Sequence, residues 1–214
     1  MTTPTHVRPH SPAATTAPAA APTVIGLNGF ARSGKDTAAQ ALIARGFVRI
    51  ALADPIREAL LVLDPYVGFT ASGPVRLATA LSSVGGDWDL LKKHELFGNE
   101  SRRQMQVLGT EVARIQWWDG FWLDLADQKM AALRAEGHTR FVITDVRFPN
   151  EGEWARAHGW PVVRITRPGV GPVNGHSSEA GLPDELVDHE VANDGTIEAL
   201  HRKVADLAVT LGVR

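Results

Sequence analysis

The chain has 214 residues, of which 44% are hydrophobic and 21% charged, a composition typical of a globular protein with a substantial core. Its formal net charge of -2 argues against a broad surface for a nucleic-acid backbone, although a few arginines suffice to bind a small anion. Because the chain has no cysteine, disulfides and thiolate metal sites are excluded.

The N-terminal region and the apolar runs of the chain bear on its domain boundary and on its cellular location. Residues 1–22 are mostly Thr, Pro and Ala, so we predict a disordered tail and a folded domain over 23–214. No apolar run approaches the roughly 20 residues that cross a bilayer, and no signal peptide is recognisable. We therefore expect a cytoplasmic protein without membrane or nucleic-acid-polymer partners, and leave open a homodimer.

Strands and helices alternate along the domain. In chain order we predict a strand at 24–27, a helix at 36–45, a strand at 47–52, a helix at 56–63, helices at 101–115 and 121–135, a strand at 140–145, a helix around 151–158, strands at 161–165 and 190–192, and a helix at 196–211. Residues of about 66–100 are rich in Gly and Ser and are predicted to be a mobile, partly helical insertion. This alternation predicts an α/β fold with a central parallel sheet flanked by helices, and ligands at the carboxyl ends of the strands.

A glycine-rich loop lies between the first strand and the first helix. Residues 29–35 (GFARSGK) match the first seven positions of the phosphate-binding loop (P-loop) motif G-x-x-x-x-G-K-[ST]. Its backbone N–H groups and the helix N-terminus would bind nucleotide phosphates, with Lys35 reaching the β- and γ-phosphates. Asp36 stands at the eighth position, so it would hold Mg²⁺ directly or through water, while Thr37 binds a phosphate. The alternative is a turn that only caps a helix, with Asp36 at the helix dipole.

Further blocks occur in a recognisable order. They are ARSGKDT at 31–37, LADPIR at 52–57, RRQMQVLGT at 102–110, DVR at 145–147 with Asn150 and Glu151, RPG at 167–169 leading into HSSEAGLP at 176–183, and NDG at 193–195. Together they resemble the bacteriophage deoxynucleoside monophosphate kinases, from about Val24 to near the C-terminus. The resemblance implies a P-loop NTPase fold of the nucleoside monophosphate kinase type and the reaction ATP + dNMP → ADP + dNDP, with ATP and Mg²⁺ required and small molecules as the only partners.

The resemblance and the residue chemistry together assign roles. The predicted catalytic residues are Lys35, Arg103, Asp145 and Arg147. The predicted ATP-binding residues are Gly29, Arg32, Ser33, Gly34, Lys35, Asp36, Thr37 and Asn193, with Asn193 against the adenine and Asp36 and Thr37 at the metal. The predicted acceptor site comprises Arg32, Ile56, Arg57, Arg103, Gly109, Thr110, Trp122, Asp145, Arg147 and Glu151.

Phosphoryl transfer depends on charge neutralisation, so a kinase for a monophosphate needs cations besides Lys35. Arginine suits the role because its planar fork binds phosphate oxygens in pairs. The candidates are Arg32, Arg57, Arg102, Arg103 and Arg147, with Arg103 and Arg147 favoured; the alternative for each is a solvated surface arginine.

Asp145 follows an apolar strand, the usual place for a ligand carboxylate on a parallel sheet. It would hold a Mg²⁺-bound water, accept from the 3′-hydroxyl of the acceptor sugar, or cap the next turn. Trp118 and Trp122 lie four residues apart: we predict Trp118 in the core and Trp122 against the acceptor base.

Residues of about 168–185 contain several glycines and are predicted to be a lid that excludes water from ATP. Within it, His176 and Glu179 would make only a weak metal pair. Two rival functions stay open: another small-molecule P-loop kinase, resembling dephospho-coenzyme A kinases or phosphomevalonate kinases, and a nucleotide-dependent switch. The absence of an N-K-x-D motif argues against the switch.

Overall fold

The computed structural model describes residues 23–172 and 181–213. In chain order the elements are β1 (Thr23–Asn28), α1 (Lys35–Ile43), β2 (Val48–Ile50), α2 (Asp54–Leu63), β3 (Tyr66–Thr70), β4 (Gly73–Arg76), α3 (Leu77–Ser83), α4 (Trp88–Lys93), α5 (Gly98–Gln106), a π-helix (Val107–Trp117), α6 (Phe121–Ala135), β5 (Arg140–Ile143), α7 (Pro149–Ala157), β6 (Val162–Thr166), a 3₁₀ turn (Asp184–Leu186), β7 (His189–Ala192) and α8 (Ile197–Thr210).

The central sheet is parallel throughout and has the order β2-β5-β1-β6-β7. Successive side chains of β1 point to opposite faces. Ile25 and Leu27 pack beneath α1 and α8, whereas Val24 packs with the apolar residues of α6 and α7. Because helices cover both faces, the strands read as continuous apolar runs. The predicted α/β fold with a central parallel sheet is confirmed.

The predicted insertion contains a hairpin and two short helices. Strands β3 and β4 pair antiparallel, and α3 and α4 follow. Together with α2 and the start of α5 they enclose a separate apolar cluster that includes Leu60, Val67, Leu77 and Leu91. Helices were predicted here but the hairpin was not, because Gly68 and Pro74 interrupt its strand pattern. The predicted mobility stays a prediction.

The helix predicted over 101–115 is continuous but changes from an α-helix to a π-helix. It runs as α5 to Gln106 and then as a π-helix to Trp117. Trp118 ends this helix in an extended conformation, before α6 begins at Phe121. Trp118 and Trp122 therefore do not share a helical face, and the side chain of Trp118 is 54% exposed while Trp122 is 3% exposed. The prediction that Trp118 lies in the core is wrong.

Within the described ranges, no helix combines the length and apolarity required to span a bilayer.

Candidate active site

The loop between β1 and α1 has the backbone conformation that its glycines permit. Gly29 has a φ of 138° and Gly34 a φ of 102°, values that side chains with a Cβ rarely adopt. A Cβ at Gly29 would lie 2.4 Å from the carbonyl oxygen of Ile165. Gly34 caps α1, so the first N–H groups of that helix face the loop. The predicted strand–loop–helix context of the motif is confirmed.

Lys35 folds back over this loop. Its Nζ donates to the carbonyl oxygens of Gly29 at 2.6 Å and Phe30 at 2.7 Å. Beside it, the buried Oγ of Ser33 has no hydrogen-bond partner. A buried hydroxyl without a partner costs free energy unless a ligand satisfies it. Towards the cleft that Lys35 lines, the loop therefore presents a cation and a helix N-terminus to an anion.

Asn193, the first residue after β7, contacts the phosphate loop. Its Nδ2 donates to the carbonyl oxygen of Ser33 at 2.8 Å. The packing is so close that a Cβ at Gly34 would lie 2.4 Å from this nitrogen. Asn193 thus supports the phosphate loop, and its contact with the adenine stays a prediction.

Two clefts adjoin at the carboxyl edge of the sheet. The loop cleft is lined by Ala31, Arg32, Gly34, Lys35, Asp36, Thr37, Arg49, Arg57, Asp87, Trp88, Asp89, Lys92, Lys93, Arg102, Thr144, Asp145, Arg147 and Arg167. The inner cleft is lined by Leu52, Ala53, Ile56, Arg57, Lys92, Arg102, Met105, Gln106, Gly109, Thr110, Arg114, Trp122, Asp145, Arg147, Phe148 and Glu151. In the part of the chain that the structure describes, five charged residues line both clefts: Arg57, Lys92, Arg102, Asp145 and Arg147.

The loop cleft is strongly basic although the whole chain is slightly acidic. Among the described residues, nine Arg or Lys and four Asp line it. Such a concave basic surface concentrates anions through its summed potential. The inner cleft, by contrast, is partly apolar, and Ile56, Met105 and Trp122 form its apolar wall.

Asp145 connects the carboxyl edge of the sheet to the residues immediately before α2. Its Oδ1 accepts from the N–H of Leu52 at 2.8 Å, and its Oδ2 accepts from the N–H of Ala53 at 3.0 Å. The contact arises because β2 and β5 are neighbours, so the segments after both strands meet. These partners lie 93 and 92 residues earlier in the chain, so the contact differs from the predicted cap of the turn that follows Asp145. Its position on both clefts leaves the two catalytic roles as predictions.

Glu151 is buried below the inner cleft and organises it. Its carboxylate accepts from the N–H groups of Arg147 at 2.5 Å and Phe148 at 3.1 Å, and it forms an ion pair with Arg114. Burial raises the pKa of Glu151 to about 7, and the nearby charge of Asp145 adds to the rise. The positive charge of Arg114 and the two N–H groups oppose it. Glu151 therefore changes its charge near neutral pH.

Arg114 joins the π-helix to α7. Its guanidinium, with the side chain 6% exposed, also donates to Asn150 Oδ1 at 3.1 Å and lies 4.2 Å from the ring centroid of Phe148. Sequence patterns did not single out Arg114, since its partners on α7, Asn150 and Glu151, lie 36 and 37 residues away. Glu151, which was predicted to line the acceptor site, lines the inner cleft together with this arginine.

Trp122 closes the inner cleft next to the π-helix. Its Nε1 donates to the carbonyl oxygen of Gly109 at 2.7 Å, and both residues are buried. Gly109 in turn packs against Ile56, whose Cδ1 would lie 2.8 Å from a Cβ at that position. The predicted acceptor residues Ile56, Gly109 and Trp122 thus form one packed wall; stacking of Trp122 on a base stays a prediction.

Arg103 is not brought to either cleft. Its guanidinium pairs with Glu100 one turn earlier, and its side chain is 61% exposed. The adjacent Arg102 lines both clefts instead, because neighbouring residues on a helix point about 100° apart. The arrangement of α5 thus disagrees with the placement predicted for Arg103 and favours Arg102.

The structure gathers most other predicted residues. Arg32, Lys35, Asp36 and Thr37 line the loop cleft, and Thr110 lines the inner cleft; Gly29 and Ser33 line a third cavity behind the loop. In the described part of the chain, no group of three His, Asp or Glu side chains could hold a metal ion by itself. His176 and Glu179, at the centre of the predicted lid, lie outside the described residues.

Comparison with known proteins identifies the family. Residues 92–204, just over half of the chain, match the family described as Deoxynucleotide monophosphate kinase. This chain belongs to that family. The resemblance deduced from the short blocks is therefore confirmed.

Several deoxynucleotide monophosphate kinases are similar to the chain. It is 31% identical to that of Escherichia phage RB69 over 60% of this chain and 48% of the relative, and 35% identical to that of Enterobacteria phage T4 over 48% of this chain and 43% of the relative. The matches thus span about half the length of these phage proteins. A putative family member from Acanthamoeba polyphaga mimivirus is 29% identical over 85% of this chain and 93% of its own.

Among solved structures, a dephospho-CoA kinase from Campylobacter jejuni aligns over 88% of this chain and 98% of its own, with a TM-score of 0.47 and 16% identity.

Proposed function

We propose that the protein transfers the γ-phosphoryl group of ATP to a deoxynucleoside monophosphate, giving ADP and dNDP. The observation that carries the proposal is the junction of the two clefts, where five charged residues line both the phosphate-loop side and the inner side. A kinase that joins two phosphates needs such a junction, and membership of the deoxynucleotide monophosphate kinase family supports the same acceptor class.

ATP would bind with its phosphates on the loop. The N–H groups at the start of α1 and the helix dipole attract the anion. Lys35 exchanges its contacts with the carbonyls of Gly29 and Phe30 for phosphate oxygens. These contacts would bring the γ-phosphoryl group towards the residues that the two clefts share.

Mg²⁺ is the metal that we propose for the loop cleft. Asp36 and Thr37 line this cleft and offer the hard oxygen ligands that Mg²⁺ prefers, and Asp145 lies nearby. Because the described residues contain no complete ligand set, the nucleotide's own phosphates would supply the remaining ligands. When bound, the ion neutralises charge on the β- and γ-phosphates.

The acceptor would lie in the inner cleft. Its phosphate would contact the arginines of the junction, Arg57, Arg102 and Arg147, whereas its base would face Ile56 and Trp122. The acceptor phosphate is already ionised at neutral pH, so orientation and charge neutralisation suffice and no general base is required.

The test is an assay of ADP release from Mg·ATP with dGMP, dTMP, dCMP, dAMP, GMP and dephospho-coenzyme A. We expect turnover with at least one deoxynucleotide, and a loss of at least about 100-fold in kcat/KM in Lys35→Ala, as for removal of one transition-state donor. Lys129→Ala is the matched control, because it removes an exposed lysine of α6 that lines neither cleft. Activity confined to dephospho-coenzyme A would refute a nucleotide acceptor.

A further inference from the structure

Helix α4 of the insertion places a lysine at the junction of the two clefts. Lys92, near the end of this helix, lines both clefts, and its side chain is 20% exposed. Sequence patterns did not single it out, because it lies in a segment whose structure was not predicted beyond partial helix. Its position between two phosphate-binding surfaces calls for a chemical explanation.

Several contacts fix the position of Lys92. Its Nζ donates to Asp89 Oδ1 at 2.7 Å, and its carbonyl oxygen accepts from Arg102 Nε at 3.2 Å. The first residue of α5, Gly98, approaches so closely that a Cβ there would lie 2.5 Å from the same oxygen. Helices α4 and α5 therefore hold the lysine backbone rigidly against the site.

The surroundings of Lys92 are unfavourable for a cation in the absence of an anion. Burial lowers its pKa, Asp89 opposes this, and the positive charges of Arg57 and Arg147 lower it further. The buried Nε of Arg57, one of these neighbours, has no hydrogen-bond partner. Cations that repel one another around an unsatisfied donor are stabilised when an anion such as a phosphate binds among them.

An ion pair with Asp89 does not account for this placement. The pair is spaced i,i+3, and Asp89 is 63% exposed, so its attraction is screened and contributes little. Such a weak pair does not offset the burial of Lys92 and the repulsion from Arg57 and Arg147.

We propose that Lys92 is a catalytic residue that contacts the phosphoryl group as it passes between the two clefts. The inference rests on the proposed function. In that step a bond forms from an acceptor phosphate oxygen to the γ-phosphorus, and the bond from the γ-phosphorus to the β–γ bridging oxygen breaks, its electron pair leaving with ADP. Lys92, which lines the loop cleft together with Lys35, offsets the negative charge on the equatorial oxygens of the transferring group.

The experiment compares kcat, KM and ATP affinity for the parent protein, Lys92→Ala and Lys92→Arg, with Lys129→Ala as the control. We expect Lys92→Ala to lower kcat about 100-fold, with the dissociation constant of ATP and the KM of the acceptor changed less than about threefold. Lys92→Arg keeps a cation and is expected to recover most of the loss. Lys92→Met, which keeps the apolar stem, replaces the alanine variant if that variant does not fold.

Two results overturn the inference while leaving the proposed function intact: a kcat in Lys92→Ala close to that of the parent, or a loss confined to the KM of the acceptor. Failure of the parent protein to phosphorylate any monophosphate would instead overturn the proposed function, and this inference with it.

Discussion

The two consecutive arginines of α5 differ in what surrounds them. Arg102 donates to the carbonyl oxygen of Lys92 and lines both clefts, whereas Arg103 pairs with Glu100 in solvent. Charge alone does not distinguish them, since both are permanently cationic. The two residues differ because Arg102 lines both clefts and Arg103 lines neither.

We therefore expect the alanine variants of this pair to behave differently. Arg102→Ala removes a cation from the junction and the tether of Lys92, and is expected to lower kcat/KM for the acceptor about 100-fold. Arg103→Ala breaks only an exposed ion pair and is expected to stay within about threefold of the parent. Steady-state kinetics with the preferred deoxynucleotide provide the measurement. Equal losses in the two variants would show that α5 is oriented differently during turnover.

At the scale of elements, the site depends on how the long helix changes its winding. The π-helix that follows α5 carries Gly109, Thr110 and Arg114 toward the inner cleft. π-helical turns are uncommon and often occur at functional sites. Here Trp122 of α6 donates to the carbonyl oxygen of Gly109 near the start of this segment, which links two elements that line the inner cleft.

Trp122→Phe keeps an aromatic ring but leaves that buried carbonyl without its indole donor. We expect a loss of about 1–3 kcal/mol in the free energy of unfolding, measured by urea denaturation, and a higher KM for the acceptor. Trp117→Phe is the matched control because Trp117 is 58% exposed, and its effect is expected within about 0.5 kcal/mol. If the two variants were equally stable, the hydrogen bond to Gly109 would not stabilise the π-helix.

The insertion has a second consequence at this scale. Its apolar cluster packs α3 and α4 against α2. Through this packing the ring centroid of Trp88 lies 6.0 Å from Cζ of Arg57, and Lys92 lines both clefts. Elements remote from the phosphate loop along the chain thus supply part of its charge.

For the whole molecule, stability and charge are coupled at the loop cleft. The chain carries a net charge of -2, yet nine basic side chains of the described residues converge on this one surface. Their mutual repulsion weakens the folded state until an anion binds, so ligand binding and folding stability are linked.

Mg·ATP is accordingly expected to raise the melting temperature. At 100 times its dissociation constant it adds about 2.7 kcal/mol, or roughly 5–10 °C for a chain of this size. Calorimetry would measure the shift, and we expect Lys35→Ala and removal of Mg²⁺ with EDTA each to reduce it. Adenosine, which lacks the phosphates, is the matched ligand control; an equal shift with adenosine would contradict phosphate binding at the loop.

The sequence alone determined the features that depend on local patterns. Runs of apolar residues located the strands of the sheet, and the spacing of Gly29, Gly34 and Lys35 identified the phosphate loop, because these patterns dictate backbone conformation within a few residues. The ordered blocks also identified the family, since each preserves residue types at fixed local spacing.

Only the tertiary structure decided which side chains meet. Arg102 rather than Arg103 faces the clefts, Asp145 is engaged by the N–H groups of Leu52 and Ala53, and Lys92 arrives at the junction. Each outcome depends on the packing of segments far apart in the chain, such as α4 against α5 or β2 against β5. Local propensity carries no information about that packing, because it is set by the burial of apolar faces in the complete fold.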